Sequence, residues 1–377
     1  MTTFSLQDHH YMQRALTLAK RGHYTTSPNP KVGCVLVNNN KIVGEGYHVK
    51  AGLGHAEVNA LKQAGALAKG ATAYVTLEPC SHFGRTPPCA QGLINAGVKH
   101  VIAAMVDPNP KVSGNGLNML EAAGITTQHG LLAQDAQLLN VGFIQLMTTK
   151  KPYVRCKLAA SLDGKTAMSS GESQWITSPE ARRNVQRLRA QSCAIISGAD
   201  SVIFDGAKMN VRWSELGQLK NSYAEKNIRQ PVRALIDSQN RLTPNLATFQ
   251  IASPIIIFTH HIEKNHNWPH FVEHISVPLI EQPSGNQKLD LNAVLAILGE
   301  RGLNDVLIES GAKLAGAFVE QNLVDELIMF QAPKLMGADG IGMLNMPSVQ
   351  SLSQAKKITF SEVIMVGKDL RITAKIH

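Results

Sequence analysis

The chain has 377 residues, more than one ordinary hydrophobic core serves, so two domains are expected. With 44% apolar and 17% charged residues it is neither a disordered nor a fibrous chain, and no apolar run reaches the length of a membrane span. Thirty-seven Lys and Arg against 28 Asp and Glu leave +9, which suits anionic partners; without a long basic block or RGG tract, small phosphates are favoured over nucleic acid.

Ser5-x-x-Asp8 predicts the start of a first helix with Tyr11, Met12, Ala15, Leu16 and Ala19 on its apolar side. The opening residues lack a basic stretch followed by an apolar one, which points to a cytoplasmic protein. Val32–Val37 and Ile42–Tyr47 flank three asparagines and read as a hairpin. A helix from about His55 to Ala64, the strand Ala73–Leu77, a helix Ala90–Ala96 and the strand Val101–Met105 follow, then helices over Leu117–Ala123 and Ala133–Leu146. A hairpin continued by βα crossovers predicts a mixed sheet with helices on both faces.

The polar run Thr148-Thr149-Lys150-Lys151-Pro152 marks the expected boundary, giving domains 1–148 and 149–377. A second α/β set is predicted beyond it: strand Tyr153–Ala159, helix Pro179–Ala190, and strands Ala194–Ile196, Ala234–Ile236 and Ile255–Phe258. Helix Leu291–Glu300, strand Val306–Ile308, helix Ala312–Gln321 and strand Glu326–Phe330 complete it. Leu216–Gln230 and the histidine-rich stretch around His260–His274 are polar and read as surface insertions. No internal repeat is visible, so the halves are different domains.

Five cysteines, odd in number and scattered, do not form a disulfide framework, and only Cys80 and Cys89 lie close together among other potential ligands. His55, Cys80 and Cys89 supply three zinc ligands, which leaves a fourth position for water in a catalytic site. Glu57 reaches the same place only if the metal lies off the first turn of its helix, where a carboxylate takes and redelivers protons. His-x-Glu followed by Pro-Cys is the zinc-deaminase order, although the gap from Cys80 to Cys89 is far longer than the two intervening residues usual there. A structural zinc site, with His82 as fourth ligand, stays open on these residues alone. In the second half, Ser161-Leu162-Asp163-Gly164-Lys165 reads as a ligand-approaching turn. The helix carrying Arg182, Arg183, Arg187 and Arg189 offers a basic side. Glu309-Ser310-Gly311 between an apolar strand and a small-residue helix suits phosphate.

The segment Glu78-Pro79-Cys80-Ser81-His82-x-Gly84-Arg85-Thr86-Pro87-Pro88-Cys89 carries a resemblance, together with Ser27-Pro28-Asn29-Pro30-x-Val32-Gly33 and Gly52-x-Gly54-His55-Ala56-Glu57. It resembles the bifunctional riboflavin-biosynthesis deaminase/reductase family over nearly the whole chain. That implies a cytidine-deaminase-like three-layer α/β domain followed by a domain similar to dihydrofolate reductase. By the same resemblance, Zn2+ would be held by His55, Cys80 and Cys89, with Glu57 moving the protons that release ammonia from a phosphoribosylated diaminopyrimidinone. Asn29 would meet the pyrimidine, and His82, Arg85 and Thr86 the sugar phosphate. NADPH would then reduce the ribosyl group to ribityl, held by Ala159, Trp175, Ser201, Asp205, Ser238 and Gly311. Ser173, Arg189, Met209, Arg212 and Glu309 would hold the substrate, and a homodimer through the reductase half is implied. One departure stands out: Asp205-Gly206-Ala207 replaces the family's Asp-Asp-Pro, which puts the cofactor loop in question. The alternative is a nucleoside or tRNA deaminase with a C-terminal binding domain, which predicts a two-residue cysteine gap.

Overall fold

The computed structural model describes residues 4–82, 87–110, 112–263, 267–281 and 287–377. The chain divides into two compact units, Met1–Lys150 and Lys151–His377.

In the first unit α1 (Leu6–Lys20) begins at the expected capping box: Ser5 Oγ accepts the Asp8 N–H, and Asp8 accepts the Ser5 N–H. The hairpin β1 (Gly33–Asn38) and β2 (Lys41–Tyr47) leads into α2 (Ala56–Ala64) and β3 (Thr72–Val75). Then come α3 (Cys89–Asn95), β4 (His100–Ala103), α4 (Asn115–Ala122), β5 (Thr126–His129), α5 (Ala133–Leu139) and α6 (Val141–Thr149). The sheet runs β2-β1-β3-β4-β5; β1 is antiparallel to both β2 and β3, and β3, β4 and β5 are parallel. Alternate residues feed opposite faces. Leu36, Val75, Val101 and Ala103 pack with α2, α3 and α4, whereas Val35, Tyr74 and Ile102 pack with α1 and α5. Layers of helix, sheet and helix result. Gly46 on β2 lets α2 approach closely, since a Cβ there would stand 2.2 Å from the Ala56 carbonyl.

The helix expected over Ala133–Leu146 is two helices. Asn140 departs from helical geometry at φ −126° and turns its side chain onto another segment. Its Oδ1 accepts the Lys31 N–H at 2.8 Å and its Nδ2 donates to the Lys31 carbonyl at 3.0 Å. A buried amide that serves two distant peptide groups outweighs one more turn of helix.

The second unit opens with β6 (Tyr153–Ser161) and the short β7 (Lys165–Ala167), then α7 (Pro179–Gln191), β8 (Ala194–Gly198) and α8 (Ala199–Phe204). Next are β9 (Val232–Ile236), β10 (Ile255–Thr259), β11 (Val272–Ser276), β12 (Leu279–Glu281) and β13 (Gln287–Leu289). Then follow α9 (Leu291–Glu300), β14 (Asp305–Ile308), α10 (Ala312–Glu320), β15 (Glu326–Ala332), β16 (Ile341–Gly342), β17 (Ile358–Val366) and β18 (Asp369–Ile376). Among the described residues the main sheet has the order β11-β10-β9-β8-β14-β6-β15-β18-β17. It is parallel from β11 to β15 and antiparallel at the β18-β17 edge. Ile196, Ile308 and Phe258 face α9 and α10; Ile195, Leu307 and Ile257 face α7 and α8.

One of the two expected surface insertions is corrected. The histidine-rich stretch is not wholly an insertion, because Val272–Ser276 pairs in register with Ile255–Thr259. Its half-exposed alternation is that of a sheet edge, which lacks the apolar run of the interior strands. The Leu216–Gln230 stretch does lie outside the sheet and carries short 3-10 turns. Replacing Asn140 with Ala should lower the unfolding free energy of the first unit by about 2 kcal/mol, from the loss of two buried hydrogen bonds, as measured by urea denaturation.

Candidate active sites

In the first unit β3 ends just before Glu78-Pro79-Cys80, and Cys89 is the first residue of α3. His55 is the residue at which α2 starts, with extended backbone, and Glu57 lies in the first turn. The condition set by the His-x-Glu spacing is thereby met: both side chains leave the helix near its open end. His55, Cys80 and Cys89 form a group whose ligand atoms all lie within 4.8 Å of one another. His55 Nδ1 is 3.2 Å from Cys89 Sγ and 3.6 Å from Cys80 Sγ. Donors sharing one tetrahedral zinc at ordinary bond lengths stand about 3.5 Å apart, so the spacing and the two-thiol, one-imidazole chemistry both fit that ion. Among the described residues the cluster has three members, and His82 is exposed outside it.

The ionisable groups of the cluster shift one another strongly. A hydrogen bond from Cys89, with one from His55, holds the Cys80 thiol well below its usual range, while Cys89, which shares that proton and is buried, is pushed up. The bond to Cys80 raises His55 against the effect of burial. The Cys89 N–H donates to Cys80 Sγ at 3.3 Å, from the first turn of α3. Glu57 is 3% exposed, and burial drives its carboxyl up to about 7. A carboxyl at that value holds and releases protons near neutrality.

Asn29 has a partner that the sequence did not disclose. His48, buried behind β2, places Nε2 3.1 Å from Asn29 Nδ2 and Nδ1 3.2 Å from the Gly54 carbonyl. A carbonyl only accepts, so Nδ1 carries the proton and Nε2 receives the Asn29 amide. Burial keeps this imidazole neutral by lowering its pKa. The His48 ring also stands edge-on to His55, centroids 5.4 Å apart. Arg85 and Thr86 lie outside the described residues.

The second site assembles along the carboxyl ends of parallel strands. Ala159 is near the end of β6, Ser201 and Asp205 lie in and after α8, Ser238 follows β9, and Gly311 precedes α10. Their strands run as neighbours, β9-β8-β14-β6, so segments far apart in the chain follow adjacent strands of one sheet. Gly311 caps α10 without a side-chain hydrogen bond, and the space where its Cβ would lie is open, an arrangement that fits a phosphate of a dinucleotide. Trp175 is 63% exposed, with the Arg182 guanidinium 4.5 Å over its ring, and its carbonyl accepts Lys334 Nζ at 2.9 Å beyond the end of β15. Ser173 lies in the same loop as Trp175. Met209 is not brought to this surface; it is buried in the core, at a φ of +51°.

The two arginines assigned to the substrate have different surroundings. Arg189 is buried and donates to both Glu309 oxygens, at 2.8 and 2.7 Å, and to the Asn210 carbonyl at 2.9 Å. Lys157 on β6, not singled out from the sequence, brings a second cation to within 3.8 Å of Glu309. Arg212 instead bonds Glu215 at 2.5 and 2.8 Å, with both side chains more than a third exposed.

Family profiles match both units: one described as the cytidine and deoxycytidylate deaminase zinc-binding region over residues 5–105, and one described as the RibD C-terminal domain over residues 152–371. The riboflavin biosynthesis protein RibD of Escherichia coli is 51% identical over 97% of this chain and 98% of its own. That of Haemophilus influenzae is 49% identical over 99% of this chain and 98% of its own. Among solved structures, Acinetobacter baumannii RibD matches with a TM-score of 0.88 at 41% identity, covering 98% of this chain and 99% of that one. A diaminohydroxyphosphoribosylaminopyrimidine deaminase/5-amino-6-(5-phosphoribosylamino)uracil reductase of Thermotoga maritima gives 0.84 at 31% identity, covering 98% and 99%.

Burial alone would push the Glu309 carboxyl up, but the Arg189 guanidinium, joined by Lys157, reverses this and brings it to about 2. In the unfolded chain it titrates near 4.5, so its contribution is complete above that pH and is lost as pH falls toward 2. The shift corresponds to on the order of 3 kcal/mol. Denaturation at pH 5 and pH 3 should show the second unit losing stability over that window. Glu309→Gln should be less stable at pH 7 and lose less between the two pH values.

Proposed function

This chain belongs to the RibD family of riboflavin-biosynthesis deaminase/reductases, and on that premise we propose how its two units divide the work. The first deaminates 2,5-diamino-6-(5-phosphoribosylamino)pyrimidin-4(3H)-one, and the second reduces the ribosyl side chain of 5-amino-6-(5-phosphoribosylamino)uracil to ribityl with NADPH. The observation that carries the reading is the approach of His55, Cys80 and Cys89 beside a buried Glu57 whose carboxyl sits near 7.

His55, Cys80 and Cys89 would hold zinc. Zinc, when bound, supplies the Lewis acidity that makes water a nucleophile at neutral pH. Glu57 accepts the proton of the attacking water and returns it to the departing amino group. Asn29, its Nδ2 already committed to His48, keeps its carbonyl oxygen for an N–H of the pyrimidine. His82, Arg85 and Thr86 belong to the segment assigned to the sugar phosphate.

In the second unit Ala159, Trp175, Ser201, Asp205, Ser238 and Gly311 would hold NADPH, which supplies the hydride. Glu309 is fixed by Arg189 and so presents a rigid carboxylate to the substrate. The phosphate falls to Arg212, since its pair with Glu215 is exposed and weak and yields to a dianion. Ser173 lies on the loop at the same rim.

A second copy of the chain is the partner suited to β17. This strand ends the sheet, and it exposes Phe360 (59%), Val363 (52%) and Met365 (60%) where an unpaired edge ordinarily carries charge. Two-fold pairing of identical strands is antiparallel by symmetry, fills the free backbone edge and sets the two apolar rows side by side. The scattered, free cysteines suit a reducing cytoplasm. Among the described residues no helix is long and apolar enough to cross a membrane.

Glu57→Gln should keep its zinc by elemental analysis and lose ammonia release by about 100-fold or more, while NADPH-dependent reduction of the deaminated substrate is unchanged; unaltered deamination would refute the role. Val363→Lys should lower the mass measured by analytical ultracentrifugation from dimer to monomer.

A further inference from the structure

Glu78 is outside the metal-ligand set, yet its side chain is buried and fully occupied. Oε2 accepts the N–H of Asp107 at 2.9 Å and of Gly114 at 3.0 Å, and Oε1 accepts the N–H of Gly116 at 2.8 Å. Its own N–H donates to the Met105 carbonyl at 3.0 Å. All three donors to the carboxylate belong to the β4–α4 connection and the first turn of α4. One side chain thus ties residues 107–116 to the segment that ends in Cys80.

The contact is equally tight at the next residue. A Cβ on Gly116 would stand 1.9 Å from the Pro79 carbonyl oxygen, so α4 presses directly on the peptide that leads into Cys80. Beyond it, the Cys80 carbonyl accepts the Ala90 N–H at 3.2 Å. Burying a carboxylate is costly unless its lone pairs are filled, and here three peptide N–H groups and a helix N-terminus fill them. Closing the loop alone would need only an ordinary cap on α4. Gly114 occupies that cap position without a side chain, and the carboxylate comes from the cysteine segment instead.

We propose that Glu78 is a positioning residue of the deaminase centre: it fixes the Pro79-Cys80 peptide so that Cys80 Sγ stays within ligand distance of His55 and Cys89. The inference rests on reading those three residues as the zinc site. Outer-sphere residues that orient ligands change metal affinity by about 10- to 100-fold when altered.

The test uses the full chain with Co2+ in place of zinc. Glu78→Gln sets an N–H against N–H donors, and Gly116→Ala leaves the carboxylate but pushes on Pro79. Both should shift the thiolate-to-cobalt charge-transfer and d–d bands and release zinc to a chelator about 10-fold faster. The same protein should retain its NADPH-dependent reduction. If both variants show the wild-type spectrum and release rate, even with a lowered melting temperature, Glu78 anchors the fold only and the inference is overturned. If Glu78→Gln does not fold in its first unit, Gly116→Ala decides by the same readings, and loss of folding in both also overturns it. A wild-type chain without a thiolate–cobalt band would instead remove the zinc-site reading itself.

Discussion

Both sites are made of ionisable side chains taken out of water, and such groups are tolerated only where something replaces their hydration. The second unit meets this demand from within. Arg155 is bonded by Asp305 and Glu326, Arg189 by Glu309, and the fully buried Arg233 by the carbonyls of Thr248, Ile251 and Ser253. Burial lowers Arg233 to about 10, which still leaves it charged at neutral pH. The first unit meets the demand differently. Two thiols, an imidazole and a carboxyl converge there, and the internal bonds relieve Cys80 and His55 while Cys89 and Glu57 are driven up. A dication that binds thiolates and sits beside a carboxylate compensates all of them together.

This difference governs what each site asks of its ligand. In the reductase unit Arg155, Arg189 and Arg233 already have partners within the protein, so the pairs left at the surface are the ones an anion opens at least cost. Arg212 with Glu215 is such a pair, and its exposure makes it cheap to exchange. Arg189 is not, because separating it from Glu309 would strand two charges in a dry site. Arg189 and Arg212 therefore differ in kind: one is locked in a buried pair with Glu309, the other is held in an exposed pair with Glu215.

That distinction marks where the sequence stops being legible. His55, Glu57, Cys80 and Cys89 could be grouped from spacing because the ligands flank a strand and two helix starts, and those local signals survive in the fold. Apolar strands such as Ile255–Thr259 were equally readable, since a parallel interior strand is apolar throughout. Edge elements were not: Thr126–His129 is polar and half exposed, and the β17–β18 hairpin alternates weakly against solvent. The break at Asn140 and the His48 bond to Asn29 depend on partners 109 and 19 residues away, which no local pattern encodes. Arg189 was legible only as one of four arginines on a basic helix; its pairing with Glu309, 120 residues away, depends on the position of β14.

The departure at Gly206 and Ala207 leaves a loop closed by backbone bonds of its own. Gly206 takes a left-handed φ of +58°, a conformation that glycine adopts without the strain an aspartate would bear. Where the resemblance leads one to expect proline, Ala207 has an N–H, and it donates to the Ser201 carbonyl at 3.3 Å. Proline would have fixed φ but could not make that bond. The Asp205 N–H donates to the same carbonyl at 3.3 Å, so the turn after α8 closes on Ser201 from both sides of Gly206. A hydrogen bond thus does here what a proline ring would do by covalent restraint, just after Asp205 caps α8.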